Sequence, residues 1–471
     1  MTKVMRVPVR RLFGSLEPRA VRPPAGYLRL VNRTGSASPD RRTQIRAILA
    51  GSVPNLVQWF NLYLYATFAP YFRTEFFDPA STDSLVYVYG LFALTFVVRP
   101  LGSWLFDRLA DVRGRQFALV AAVTLMSAGS VALAVTPTVH DIGAWAAVIL
   151  AVVSIVQGIA TGGEYAAATV LLSESGTRGH RGFFASFQAA TIVGGLVLAQ
   201  TCLLVLLAST DRAAISEWGF RLAFAAGGAA GLASLWWARG LDRAPREPTA
   251  PQADRDATMG ALFREHWRPL VWVFLLTAGG SAAFYTYTVT VPSIVRETFF
   301  AADGARGELI ATGLVLAAFV VLMVLQPVGG ALSDRIGRKP LLVAFGALAI
   351  PATGTLVLAT TRVTSPPAVF VILVSAFVVL TCYLSVNGIA KAEVFPAHIR
   401  ALGVGFGYAV ANSLFGGTAP LIYHATSGRG SADFILYTTV LLSVTLCAAL
   451  WMRGGSATAL DAPKSPRNPN P

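Results

Sequence analysis

Long apolar stretches with almost no charged side chains dominate this sequence. Twelve of them occur, at about 47–72, 84–106, 117–136, 143–173, 183–208, 219–238, 269–295, 308–329, 341–360, 366–390, 401–424 and 432–452. A helix of about 20 apolar residues is long enough to cross the hydrocarbon core of a bilayer. A helix also satisfies its own backbone hydrogen-bonding groups, which find no partners in lipid. The sequence therefore predicts an all-α membrane protein with twelve transmembrane helices.

The composition excludes most other classes of protein. Charged residues make up 13% of the chain, about half the share of roughly 25% that is usual in soluble domains. The sequence contains no histidine cluster, nucleophile elbow or metal-ligand spacing, so we expect neither an enzyme nor a cofactor. The three cysteines, Cys202, Cys382 and Cys447, stand in apolar stretches and are expected to be packing residues.

The excess of positive charge has two possible meanings. The net charge is +14, from 38 Lys and Arg against 24 Asp and Glu. Such an excess is found in nucleic-acid-binding proteins, but here most basic residues fall in alternate loops and in the two tails. That bias marks the cytoplasmic side of a membrane protein. We therefore expect a multi-pass protein of the cell (inner) membrane with both termini in the cytoplasm, in contact with lipid and not with nucleic acid.

The longest polar gap between apolar stretches divides the chain into two equal sets of six. We predict an N-terminal six-helix bundle at 46–238, a cytoplasmic central loop at 239–268 and a C-terminal six-helix bundle at 269–452. Residues 1–45 and 453–471 are polar and rich in Pro, Ser or Arg, and are expected to be disordered tails. Whether residues 1–45 are translated stays open.

Two charged loop patterns occur once in each set of six. An Asp, a Gly and an Arg follow the second apolar stretch and recur after the eighth, and a Glu with an Arg seven residues later follows the fourth and the tenth. The repetition predicts two related halves. Opposite charges at helix ends can form a latch between the halves, or the basic residues can serve topology alone. The latch candidates are Asp111, Arg115, Glu174, Arg181, Asp334, Arg338, Glu393 and Arg400.

Several of these stretches resemble a known family. Residues 99–106, 157–165, 181–188 and 391–405 are similar to motifs of the major facilitator superfamily and, within it, of the metabolite:proton symporters. The resemblance covers about 45–452. It implies the major facilitator fold in two six-helix halves, and transport of a small organic acid by alternating access, with 2-oxoglutarate or a related dicarboxylate as substrate and a proton as its partner. We expect a monomer.

Other functions stay open at this point. The chain could carry another metabolite of the shikimate, citrate, betaine or proline type. It could also be an uncoupled facilitator, or a membrane sensor that no longer transports.

The candidate substrate-binding residues are polar groups within the apolar stretches. Since the resemblance implies that the first, fourth, seventh and tenth helices line the central cavity, these side chains either face it or join helices to one another. Arg99 is the only basic residue clearly inside a stretch, and its guanidinium could bind a carboxylate or reach the surface. Lys391 is a second candidate for binding an anion, or an anchor at the cytoplasmic edge. The full set is Gln58, Asn61, Tyr65, Arg99, Gln157, Tyr285 and Lys391.

Glu164 is the candidate for proton coupling. A low-dielectric site favours the neutral form of a carboxyl group unless a cation pairs with it; the alternative role is a structural ion pair. The family usually has Glu-Trp-Phe-Asp in the first helix, whereas this chain has Gln58-Trp-Phe-Asn61. Neither amide can titrate, so coupling rests on Glu164 or is lost.

Overall fold

The described part of the chain is built from helices. The structure is a computed structural model of the 471-residue chain and describes residues 41–78, 83–113, 115–162, 164–176, 179–241 and 259–452. Within these ranges the side chains of Asp111, Arg115, Glu164 and Glu174 are among those that it leaves undescribed. Residues 1–40 and 453–471 of the predicted tails and most of the predicted central loop lie outside the described residues. Residues 41–45, predicted as part of the disordered N-terminal tail, instead form the start of the first helix.

The described helices form twelve membrane spans, several of which are interrupted. The first six spans are Arg41–Phe76; Ser84–Val97 with Arg99–Arg113; Arg115–Val135; Trp145–Gly162 with Glu164–Ser175; Arg181–Ser209; and Phe220–Leu241. The seventh and eighth spans together occupy Trp267–Tyr285, Thr286–Thr290 and Val291–Ile336, which follow one another directly. The ninth to twelfth spans are Arg338–Thr360; Pro366–Leu384 with Asn387–Glu393; Arg400–Ala411 with Asn412–Gly416 and Thr418–Thr426; and Ala432–Trp451. Short helices at Val139–Ile142, Arg212–Ala214 and Met259–Glu265, π-turns at Ile215–Gly219, Thr286–Thr290 and Asn412–Gly416, and a 3₁₀ turn at Ser427–Arg429 complete the described elements.

Seven of the described helical stretches are long and apolar enough to cross a membrane by length and composition. One of them, Trp267–Ile336, is 70 residues long. At about 1.5 Å per residue it would be far longer than a bilayer of about 30 Å is thick. Its backbone breaks at Asp303 and Gly304, where Gly304 has a φ of 54° that favours glycine, so this stretch supplies the seventh and eighth spans.

The two sets of six spans pack in the same pattern. In the first set the third span packs on the sixth and the second on the fourth; in the second set the ninth packs on the twelfth and the eighth on the tenth. Between the sets, the fifth span packs along the eighth, and the second packs against the eleventh. The equivalence agrees with the repeated loop motifs of the sequence.

Small residues let the halves approach each other closely. A Cβ added at Gly182 of the fifth span would collide with Ser333 and Gly330 of the eighth, and one added at Gly417 would collide with the ring of Phe96. Ser413 of the eleventh span donates a hydrogen bond to the carbonyl oxygen of Phe96 in the second. The interface between the halves is therefore tight along both pairs of spans.

The outer face of the bundle is apolar. Trp104, Trp145 and Trp236 expose 62%, 69% and 77% of their surface, while the aromatic side chains of the first span are buried inside. An exterior of this kind suits lipid and not water, since tryptophan is enriched at membrane interfaces. The polar groups are thus left for the centre of the bundle and its two ends.

Candidate substrate-binding site and gates

Two adjoining cavities lie between the halves near the middle of the bundle. The larger, here the Asn412 cavity, has about 480 Å³ of empty space, counted together with its open side, and is lined by Gln188, Phe284, Tyr383, Asn387 and Asn412, among others. The smaller, here the Arg99 cavity, has about 380 Å³ of empty space, counted in the same way, and is lined by Asn55, Gln58, Arg99 and Thr161, among others. Trp59, Tyr165 and Tyr408 line both. Both halves of the chain contribute side chains to each cavity.

Arg99 occupies the wall of the smaller cavity. Its residue is 4% exposed, and its guanidinium carbon lies 3.6 Å from the ring centre of Phe96 and 5.8 Å from that of Trp59. The Nε and Nη2 atoms have no hydrogen-bond partner among the described residues. These two nitrogens form one edge of the guanidinium, the edge that binds a carboxylate with two parallel hydrogen bonds.

Three further polar groups beside Arg99 also lack hydrogen bonds within the described chain. They are the Tyr63 hydroxyl, the Tyr285 hydroxyl and both polar atoms of the Asn412 amide. Arg99 is an electrostatic neighbour of both tyrosines. The Tyr285 hydroxyl also lies within reach of the Arg99 guanidinium and of the Asn412 amide, but without the distance and angles of a regular hydrogen bond to either. Of these three residues, only Tyr285 belongs to the set predicted from the sequence. Asn412 begins a π-turn, a feature that often marks functional sites, but a π-turn has no clear sequence signature.

The other polar residues predicted in the first and fourth spans have different surroundings. Gln58 lines the Arg99 cavity, and its Oε1 atom has no partner among the described residues. Asn61 accepts a 2.6 Å hydrogen bond from Ser130, which accepts one of 3.1 Å from Gln157. The Tyr65 hydroxyl donates to the Val88 carbonyl oxygen at 3.1 Å. Asn61, Tyr65 and Gln157 thus connect helices of the first half, while Gln58 faces the cavity.

Lys391 is buried, with 0% exposure, behind the wall of the larger cavity. Its ammonium donates to Asn387 Oδ1 at 3.0 Å. The rings of Tyr408, Tyr165 and Tyr383 surround it, with their centres 4.8, 5.8 and 5.9 Å from Nζ. Aromatic faces attract a cation in this way. The tyrosines and Asn387 therefore stand between this charge and the cavity.

At one end of the bundle the repeated loop motif joins the halves. The Asp334 carboxylate accepts hydrogen bonds from the backbone N–H groups of Gly182 and Phe183, at 2.8 and 2.9 Å. These two groups belong to the first turn of the fifth span, where the helix dipole favours a negative charge. Arg338 binds the same carboxylate at 2.9 Å and approaches Glu393 Oε1 at 3.4 Å. We call this set the Asp334 gate.

The remaining latch candidates are placed as follows. Arg400 donates to the carbonyl oxygens of Ala392 and Phe395 at 3.0 and 3.3 Å, and therefore braces the loop after the tenth span. Arg181 is the first residue of the fifth span, next to the two groups that Asp334 binds. The first-half candidates Asp111, Arg115 and Glu174, and the proton-coupling candidate Glu164, have side chains outside the described residues.

The opposite end of the bundle holds a second inter-half cluster, which was not predicted from the sequence. Glu308 is 2% exposed; its Oε1 accepts from the Tyr71 hydroxyl at 2.6 Å and from Arg212 at 3.2 Å. Tyr71 and Arg212 belong to the first half and Glu308 to the second. We call these three residues the Glu308 gate. Glu308 is the first residue of the eighth predicted stretch. At the end of a stretch, the sequence does not distinguish a carboxylate exposed to water from one buried between helices.

A ring stack lies near the Glu308 gate. His424 of the eleventh span is stacked on Tyr89 of the second, with ring centres 4.7 Å apart and planes within 5°. Bridges between the halves are therefore present at both ends of the bundle, and the two cavities lie between them.

Within the described residues, no group of three or more His, Cys, Asp or Glu side chains could hold a metal ion.

This architecture can be compared with that of known proteins. Residues 52–420 match the family described as Major Facilitator Superfamily. The chain belongs to the major facilitator superfamily. The match spans both halves, and with it the twelve-helix fold predicted from the sequence is confirmed. The chain is accordingly a membrane transporter and not an enzyme.

Curated relatives cover nearly the whole chain. The alpha-ketoglutarate permease of Escherichia coli (strain K12) is 38% identical over 417 residues, which are 88% of this chain and 95% of that protein. The citrate-proton symporter of Klebsiella pneumoniae is 28% identical over 91% of this chain and 98% of its own length. The proline/betaine transporter of Escherichia coli (strain K12) is 29% identical over 78% of this chain and 75% of its own length.

Solved structures agree on the fold. The inward-open xylose transporter XylE from E. coli superposes with a TM-score of 0.65 at 19% identity, covering 89% of this chain and 98% of that one. The XylE complex with 6-bromo-6-deoxy-D-glucose gives a TM-score of 0.66, also at 19% identity. At such identity the likeness concerns the arrangement of the helices alone.

Proposed function

We propose that this chain is a proton-coupled carrier of a small organic acid, with 2-oxoglutarate or a related dicarboxylate as its substrate. Two of the relatives named above are an alpha-ketoglutarate permease and a citrate-proton symporter, and the first covers most of the chain. The proposal places the protein in the inner membrane as a monomer. The observation that supports it most is that the buried Arg99 guanidinium has two nitrogens without a hydrogen-bond partner among the described residues.

Arg99 is a cation buried between the two halves with one edge of its guanidinium unused. Burying a charge is costly unless something pairs with it. Nε and Nη2 lie side by side without partners among the described residues, which is the geometry that a substrate carboxylate completes. The Gln58 side chain beside it adds a neutral polar group and no competing negative charge. An organic anion therefore compensates the buried charge of Arg99, which a neutral sugar does not.

Alternating access follows from the two gates. The Asp334 gate and the Glu308 gate each join one half to the other, at opposite ends of the central cavities. Opening one while the other stays closed exposes the site to one side of the membrane at a time. The positive-inside bias of the loops supports the Asp334 gate as the cytoplasmic one and the Glu308 gate as the external one, with both termini cytoplasmic.

Glu164 remains our proposed proton carrier. It opens the second part of the fourth span, Glu164–Ser175, one residue before Tyr165, which lines both cavities. In the first span the family's two acids are replaced by Gln58 and Asn61, which cannot carry a proton. A titratable carboxyl close to the substrate site is what coupling needs.

A carrier of betaine or proline is the second candidate, favoured by the three tyrosines that surround Lys391. A cage of aromatic rings is the usual receptor for a quaternary ammonium group. In this chain, however, the cage already holds the ammonium of Lys391, 4.8 Å from the Tyr408 ring centre. A cationic ligand would have to displace it, so the organic acid is the better supported substrate.

Uptake by the purified protein in proteoliposomes separates these candidates. The panel consists of radiolabelled 2-oxoglutarate, citrate, shikimate, glycine betaine and proline, each with and without a pH gradient that is acidic outside. We expect concentrative uptake of 2-oxoglutarate only with the gradient. Uptake of betaine or proline in its place would overturn the organic-acid assignment, and equal uptake with and without the gradient would make the protein a facilitator.

A further inference from the structure

The groups that lack partners around Arg99 are not a random set. Tyr285 and Asn412 come from the seventh and eleventh spans of the second half, whereas Arg99 comes from the second span of the first half. Tyr285 and Asn412 are 1% and 0% exposed, and the Tyr285 hydroxyl and both amide atoms of Asn412 have no hydrogen bond within the described chain. Buried polar atoms without partners are rare, and each calls for an explanation.

The surroundings of these groups give that explanation. The Tyr285 ring packs edge-on against the Phe96 ring, with centres 5.0 Å apart, and Arg99 lies over the same Phe96 ring at 3.6 Å. Tyr285 is thus held next to the guanidinium, and Asn412 approaches the Tyr285 hydroxyl. The Tyr285 hydroxyl therefore stands beside the Arg99 guanidinium, and the Asn412 amide stands beside that hydroxyl.

We infer that Tyr285 and Asn412 form a subsite for the oxygen on the carbon next to the substrate's Arg99-bound carboxylate, that is, the 2-oxo or 2-hydroxy oxygen. This inference rests on the proposed function and adds a specificity that the function alone does not contain. A hydroxyl and an amide N–H both donate, and a 2-oxo oxygen accepts from both. The amide oxygen of Asn412 would in turn accept from a 2-hydroxy group.

The subsite explains how a carrier can tell a 2-oxo acid from the acid that lacks the oxygen. A site built to hydrogen-bond a substrate group rejects an analogue without that group, because the buried polar atoms of the site are then left unpaired. Glutarate has the two carboxylates and the chain length of 2-oxoglutarate but lacks the 2-oxo group. The two acids therefore differ only at the position that Tyr285 and Asn412 would contact.

The experiment compares the two acids on the purified full-length protein. Dissociation constants for 2-oxoglutarate and glutarate are measured by calorimetry, which does not depend on transport, for the wild type, Asn412→Leu and Tyr285→Phe. The control is Thr418→Val, a near-isosteric change in the same span at a half-buried residue that lines neither cavity and whose hydroxyl donates to the Leu414 carbonyl oxygen. The readout is the ratio of the two constants, because a purely structural defect weakens both acids alike.

We expect the wild type and the Thr418→Val control to favour 2-oxoglutarate by at least about tenfold, and both subsite variants to lose most of that preference. Tyr285→Phe removes a single oxygen atom, so it still tests the subsite if Asn412→Leu does not fold. An unchanged ratio in Tyr285→Phe, or a wild type that binds both acids equally, would overturn the subsite. A wild type that binds neither acid would instead overturn the proposed function.

Discussion

The ring of Tyr165 lies flat against the ring of Tyr408, with centres 3.5 Å apart and planes within 10° of parallel. Tyr165 belongs to the fourth span and Tyr408 to the eleventh, so this stack joins the two halves. Both rings line the Arg99 cavity and the Asn412 cavity, and the Tyr165 hydroxyl donates to Asn387 at 3.1 Å. The stack is therefore a closure between the halves at the wall that the two cavities share.

Removing this stack should favour open states of the carrier. An aromatic pair contributes about 0.5–1.5 kcal/mol beyond its buried area, so Tyr408→Ala should raise the open population by up to about tenfold. A cysteine at Ser281, which lines the Asn412 cavity, reports opening through its rate of reaction with a thiol reagent. Cys202, Cys382 and Cys447 are first replaced by serine. Tyr87→Ala, at a residue that is 48% exposed, is the control and should react at the parent rate; equal rates in all three proteins would refute the closure.

The Asp334 gate predicts a large effect from a small change. Asp334→Asn keeps the size of the side chain but removes the charge that binds Arg338 and the first turn of the fifth span. Hydrogen bonds to charged groups contribute about 1.5–3 kcal/mol each, so the initial rate of substrate uptake should fall by at least about tenfold. Asp303→Asn, at an aspartate whose side chain is 59% exposed, should transport as the parent does. Normal transport by Asp334→Asn would contradict the gate.

The Glu308 gate is tested from the other side of the membrane. Glu308→Gln leaves a group that Tyr71 can still donate to but removes the partner of the Arg212 charge. We expect a thiol reagent that cannot cross the membrane to reach the Ser281→Cys reporter several times faster from the outside of right-side-out vesicles. Glu217→Gln, an exposed glutamate at the same end, has the same change in charge and should leave the rate as it was. No acceleration in Glu308→Gln would mean that this cluster does not hold the outer end closed.

The sequence predicted what depends on pattern and missed what depends on tertiary contact. Apolar length and the repeated loops gave the twelve spans, and a lone Arg in an apolar stretch pointed to Arg99. Gln58, Asn61 and Gln157 share the same polar, mid-helix pattern, and only packing separates the cavity-facing Gln58 from the other two. Asn412 and Glu308 were not predicted because only the folded chain shows their surroundings. The Asn412 amide lacks regular hydrogen bonds within the described chain, whereas Glu308 binds two residues of the other half.

The assignment of proton coupling to Glu164 makes its own prediction. Glu164→Gln removes the titratable group but keeps the size of the side chain, so substrate exchange across the membrane should persist while accumulation driven by a pH gradient disappears. Both are measured in the same proteoliposomes, as counterflow and as gradient-driven uptake. Accumulation at the parent level in Glu164→Gln would exclude this residue as the proton carrier.

The central claim is that Arg99 holds the carboxylate of an organic acid that a proton gradient drives across the membrane. The most direct test is gradient-driven uptake of radiolabelled 2-oxoglutarate by the wild type and by Arg99→Lys, which keeps the charge but loses the two-nitrogen edge. We predict accumulation by the wild type that a protonophore abolishes, and a loss of roughly 30- to 100-fold in Arg99→Lys, equivalent to about 2–3 kcal/mol. Uptake by Arg99→Lys at the wild-type rate, or no accumulation by the wild type, would contradict the claim.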